Sequence, residues 1–266
     1  MKPPLNPAPS ATPGGRFPFW LLPNLVSLDA PAVAFVWQRH LGAAFGVPVP
    51  PAASVGLAAI VWAVYLGDRV LDARAVPPPA TDRHRFAARC ARPFAVLAFL
   101  SGALGLGTAF VLPLSYFLAG VGVAVAVSGY LLVVHAATTV LNTRGWKELL
   151  VGGVFAAGVA VPLMAEAASP DWCPAVAAFG LCCCWNCRLI DRWEQRRATG
   201  RTAGRLIGLA AALLAVTAPP AAFVPLLAAL LLLLLVDASV PAVGTRAARL
   251  LADAALLTPL PVWAFT

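Results

Sequence analysis

The sequence predicts an all-α membrane protein, a polytopic bundle of about nine transmembrane helices. Three observations predict it. Apolar runs of about 20 residues recur along a 266-residue chain that is 61% hydrophobic and 11% charged, with a mean hydropathy of +0.83, and runs of that length cross a bilayer core. Prolines punctuate the runs. Basic residues collect on alternate connections between them.

The first 18 residues, MKPPLNPAPSATPGGRFP, are rich in Pro, Ala and Gly and contain no apolar stretch long enough for a signal-peptide core. They read as a disordered tail. Residues 19–266 are then a single helical domain. Helices are expected near 24–46, 52–73, 93–112, 114–137, 147–166, 173–192, 204–219, 221–239 and 246–264. The breaks fall at Pro48 to Pro51, Pro113, Pro170, Pro219–Pro220 and Pro241, because proline has no N–H to give and clashes with the preceding turn. The seventh helix is short for a span, which tilt and local thinning accommodate.

Charge tests this count. With a cytoplasmic N-terminus, the tail and the connections after even-numbered helices, with their adjoining helix ends, hold 18 of the 19 Lys and Arg residues. Arg39, inside the first helix, is the exception. The positive-inside rule then predicts an integral, multi-pass protein with N-in, C-out topology, in a membrane of the bacterial inner type. The net charge of +8 follows from that topology. No aromatic residues interleave the basic ones in a base-stacking pattern, so nucleic-acid binding is excluded.

Two connections stand out. Asp68 to Arg92 and Arg188 to Arg205 each carry six Arg, and each begins at an acidic helix end. Asp68 and Asp72 are four residues apart and share a helix face, where like charges repel unless a cation separates them. Asp191 and Glu194 form the corresponding pair in the second segment, with Asn186 about two turns before Glu194. Such carboxylates suit Mg²⁺, which binds through one or two carboxylates plus substrate phosphates. Arginine forks then hold the remaining phosphate oxygens. The blander account is that the arginines reflect topology and the acids neutralise them. It is the better account for one such loop. For two at equivalent places, a site for a lipid diphosphate is the better one.

At these residues the chain resembles the UbiA-type intramembrane prenyltransferases, over nearly all of its length beyond the tail. That family's first motif, N-D-x-x-D-x-x-x-D, is matched by Val64-Tyr-Leu-Gly-Asp68-Arg-Val-Leu-Asp72, with Val64 and Tyr65 in place of the Asn and first Asp. Its second, N-x-x-x-D-x-x-x-D, is matched at its ends by Asn186 and Glu194, with Ile190 in the middle and Asp191 displaced by one. Lys147 to Phe155 and Ala252 to Leu260 are also similar to family stretches. The resemblance implies a UbiA-like fold and a Mg²⁺-dependent transfer of an isoprenoid group from a polyprenyl diphosphate to a small lipophilic, often aromatic, acceptor. It implies that Asp68 and Asp72 hold one Mg²⁺ and that Asp191 and Glu194, helped by Asn186, hold a second. Arg83, Arg85 or Arg192 would stabilise the departing diphosphate. Lys147 would reach it, and Tyr65 would line the prenyl pocket. The alternative is a non-catalytic lipid- or quinone-binding or transport protein on the same fold.

Other polar residues take quieter readings. Asp29, Gln38, Arg39 and His40 interrupt the first helix, and intramembrane polar groups face a bundle interior or cavity. Asp237 and Asp253 read as packing or hydrogen-bonding residues. Four of the six cysteines crowd residues 182–187. Cys184 and Cys187 have no matching CxxC or His pair, so small thiols packed between helices explain them better than zinc.

Overall fold

The structure, a computed structural model, describes residues 19–75, 82–136, 146–194 and 201–263. The expected tail lies outside these residues, as do the side chains of Asp72 and Arg83. Among the described residues there are twelve α-helices, a short 3-10 turn (Phe19–Leu21) and no strand. In order they are α1 (Leu22–Leu25), α2 (Asp29–Ala44), α3 (Pro51–Ala75), α4 (Asp82–Arg89), α5 (Ala91–Ala109), α6 (Leu114–Ala136), α7 (Trp146–Val159), α8 (Val161–Glu166), α9 (Cys173–Glu194), α10 (Arg201–Ala215), α11 (Pro220–Ala255) and α12 (Pro259–Trp263).

Four of these helices are long and apolar enough to cross a membrane: Pro51–Leu71, Ala91–Ala109, Cys173–Glu194 and Pro220–Ala255. Phe19–Leu25 with Asp29–Ala44 makes a fifth if the bent pair is one span. Large apolar side chains such as Phe99, Leu106, Leu231 and Leu235 point outward, as a lipid-facing surface requires.

Three expected helices are interrupted. The first bends by 69° between α1 and α2, where Ser27 adopts a positive φ of 55°. Pro31 has no N–H to bond the Ser27 carbonyl, so a continuous helix would leave that carbonyl unpaired. The fifth breaks at Ala160, two residues before Pro162, for the same reason. The last two helices run together as α11, whose real discontinuity is Gly244 (φ 78°, ψ 162°) rather than Pro241. That backbone conformation belongs to glycine. An unexpected element, α4, folds in the first basic connection. Its Phe86 and buried Ala87 pack with Leu66, Val70 and Phe94, so an amphipathic face turns a polar loop into a helix.

The main core gathers α2, α7, α9, α10 and α11. Trp37 is its centre. It is fully buried, its ring lies 4.6 Å from that of Phe179, and its indole N–H donates to the Leu256 carbonyl at 2.6 Å. The crossing of α7 on α9 is made by glycines. A Cβ added at Gly152 would sit inside the van der Waals radius of the Gly180 carbonyl oxygen, with the Cys184 backbone nitrogen 3.0 Å away. Small residues let helix backbones approach where lipid supplies no hydrophobic drive between helices.

A test follows from that crossing. Gly152→Ala is expected to lower stability by about 1–3 kcal/mol through overpacking. Gly153→Ala, whose added Cβ meets nothing within 4 Å, is expected to leave the thermal unfolding midpoint in detergent unchanged or slightly raised.

Candidate functional site

A cavity of about 280 Å³ lies at one end of the bundle. Its polar wall comes from five elements: Asp29 of α2, Tyr65 and Arg69 of α3, Lys147 and Glu148 of α7, Asn186, Asp191 and Glu194 of α9, and Asp253 of α11. Interleaved with these are the apolar Val33, Val151, Phe155, Ile190 and Leu256. Helix geometry explains the gathering. Asn186, Ile190 and Glu194 recur every four residues and so share one face of α9. Cys183 and Cys187 lie on that same side and complete the lining. They act there as small side chains between helices.

A hydrogen-bond network fixes the floor. The Asp253 carboxylate accepts from both amides: Oδ2 from Asn24 Nδ2 at 2.9 Å and Oδ1 from Asn186 Nδ2 at 3.0 Å. Asn24 Nδ2 also donates to Asp29 Oδ2 at 2.7 Å. The Asn24 side-chain oxygen Oδ1 accepts from Arg249 Nη2 at 2.8 Å. Arg249, 7% exposed, also pairs with Glu194. Arg249 is buried while Glu194 is exposed, so the pair anchors the guanidinium at the edge of the cavity. The chain segment at Asn24 is thereby tied to α9 and α11.

Two buried side-chain oxygens of the cavity lining have no hydrogen-bond partner among the described residues: Asn186 Oδ1 and Glu148 Oε2. Such atoms are rare in folded proteins, and they are left open where a water, an ion or a ligand group is to be received. The lining carries five carboxylates (Asp29, Glu148, Asp191, Glu194, Asp253) against two bases (Arg69, Lys147). A low-dielectric site with that excess of negative charge favours a cation.

Of the residues expected from sequence, Tyr65, Lys147, Asn186, Asp191 and Glu194 come together here. Asp68 does not line the cavity; it is exposed, one residue before the lining Arg69. Arg192 is turned elsewhere: its guanidinium pairs with Asp237, whose Oδ1 also accepts from the Trp193 indole at 3.1 Å. In this structure Asp237 holds it outside the cavity lining. Arg85 is not among the lining residues either. Asn24, Asp29, Arg69, Glu148, Arg249 and Asp253 were not assigned to a site from sequence. The signal for Asp29 and Asp253 was an acid inside an apolar segment; for Asn24 there was none.

Among the described residues no group of three or more His, Cys, Asp or Glu side chains is placed to hold a metal ion. The unpartnered Asn186 Oδ1, in a lining that also includes Asp191, fits a Mg²⁺ that arrives bridged to phosphate, since such an ion needs only one or two protein carboxylates. Compared with known proteins, the chain matches no family model, no curated sequence and no solved structure. What the cavity does must follow from its own residues.

The Asp253 node makes a prediction. Asp253→Asn keeps the shape but replaces one acceptor by a donor, which faces an amide N–H of Asn24 or Asn186. Stability is expected to fall by about 1–3 kcal/mol, read as a lower thermal midpoint. Asp171→Asn, on an exposed acid bonded to Ser169, is expected to leave the midpoint unchanged.

Proposed function

We propose that the chain is a membrane prenyltransferase of the UbiA type, moving an isoprenoid group from a polyprenyl diphosphate to a small, aromatic acceptor with Mg²⁺. The observation that carries this reading is one cavity at the end of the bundle whose lining interleaves five acids and the unpartnered Asn186 Oδ1 with apolar side chains. A diphosphate carries several negative charges. Five carboxylates would repel it unless a divalent cation came with it. The polar wall therefore selects a metal–diphosphate complex over a bare anion.

In this reading Asp191 and Asn186 Oδ1 would hold the metal, near the unpartnered Glu148 Oε2 of the same lining. A Mg²⁺ held there would supply neutralisation of the charge on the leaving diphosphate. Arg69 and Lys147 donate to the non-bridging oxygens. Phe155, Val151 and Leu256 keep water from the first isoprene unit. The carbon–oxygen bond of the donor breaks and diphosphate leaves with the electron pair. The acceptor carbon forms the new bond and gives up a proton. Asp68 stands outside this wall and would meet the diphosphate only by turning inward.

The nine-span, N-in topology belongs to the same reading. α11, with 36 residues, would be about 54 Å long if straight. That exceeds a bilayer core, and in this reading the Gly244 discontinuity separates the last two spans. A protein that binds lipid or quinone without chemistry is the competing reading. It is favoured by the exposed position of Asp68, outside the cavity lining.

The test is pyrophosphate release from labelled geranyl, farnesyl and longer diphosphates. Purified protein in nanodiscs would be given Mg²⁺ and a pool of aromatic acceptors. Wild type is expected to release pyrophosphate, EDTA to stop it, and Asp191→Asn to slow it by about 100-fold. A tenfold or larger loss in Asp68→Asn would mean that this residue does turn inward. No release from any donor, by a folded protein that binds them, would favour the binding protein.

A further inference from the structure

A second cavity, of about 340 Å³, shares no lining residue with the first. It lies between α3, α5, α6 and α7, with Gln38 of α2 at its wall. No charged residue lines it. Glycines 56, 105, 120 and 158 are among its lining residues, and an added Cβ at Gly120 meets nothing within 4 Å. The exposed Leu106, Phe117 and Val121 mark its outer side, toward what is bilayer in a membrane-spanning bundle.

Gln38 is out of place there. It is 2% exposed, and its Oε1 has no hydrogen-bond partner among the described residues. The neighbouring hydroxyls do not serve it. Thr108 donates to the Gly105 carbonyl at 2.7 Å, and Tyr116 donates to the Pro48 carbonyl at 3.3 Å. A buried amide oxygen left open carries its full desolvation penalty. An occupant that brings a donor removes it.

We propose that this cavity is a binding site for a long-chain alcohol, whose hydroxyl donates to Gln38 Oε1 while its chain fills the apolar groove. A bulk acyl chain would fill the groove but offers no donor. A charged headgroup would be buried without a counter-charge, at high cost. The α6 wall runs from Tyr116 to Ser128, about 18 Å at the helical rise, which matches an extended chain of about a dozen carbons. The site is independent of the prenyltransferase reading, because it uses neither the acid-rich wall nor a metal.

The test uses detergent-purified full-length protein, titrated with dodecan-1-ol and with its methyl ether, which keeps the chain and removes the donor. Apparent affinities are read from the thermal midpoint. Wild type is expected to bind the alcohol at least tenfold more tightly than the ether. Gln38→Leu is expected to erase that preference. Gly120→Phe, at a position where an added Cβ meets nothing within 4 Å, is expected to fill the groove and abolish binding of both. Equal affinities in wild type, no binding of either compound, or a preference that survives in Gln38→Leu would overturn the proposal.

Discussion

The arrangement rests on one constraint: polar side chains placed among apolar helices must find partners. Asp253 is where that constraint is met. Its carboxylate accepts from Asn24 and Asn186, and Asn24 passes the connection to Asp29 and Arg249. Arg249 in turn holds Glu194. Residues from the start of the chain, from the end of α9 and from the end of α11 are thereby held to one geometry. The bend after α1 has its purpose in this network, since it places Asn24 over the ends of the other helices.

The same constraint separates scaffold from site. Glu194, Asp29 and Asp253 have carboxylate oxygens engaged by neighbouring amides or guanidinium. Asn186 has only its amide nitrogen engaged, and its oxygen is open at the cavity. A side chain held at one end and open at the other is positioned without being used up. That is what preorganised binding of a charged group needs. Close approach of α7 to α9 through Gly152 and Gly180 brings Glu148 toward the same space. One to two turns deeper on the same face of α7, the apolar Val151 and Phe155 continue the lining.

Much of this was legible in the sequence, for reasons that can be stated. Apolar runs and prolines act locally, so the helices and most of their breaks could be placed from residues alone. Asn186, Asp191 and Glu194 could be placed together because one helix face relates them. Asn24 and Arg249 could not. They meet across 225 positions, and neither has a neighbour that hints at the other. The first motif behaves differently again. Asp68 shares a helix with Tyr65 and Arg69, yet these two line the cavity and Asp68 is exposed. Helical spacing places residues on one side of a helix, but the packing of α3 against its neighbours decides which of them faces inward. The Gly244 discontinuity was hidden for a similar reason. Pro241 is the stronger local signal, and the chain continues as helix past it until a glycine takes the positive φ.

The central claim is that the cavity holds a diphosphate only as its magnesium complex, with Asn186 open to receive it. Calorimetric titration of inorganic pyrophosphate into the purified protein in nanodiscs, with and without Mg²⁺, tests it directly. Binding is expected only with Mg²⁺ present, and is expected to be lost in Asn186→Leu. Pyrophosphate binding of equal strength without Mg²⁺, or undiminished binding by Asn186→Leu, would contradict the account.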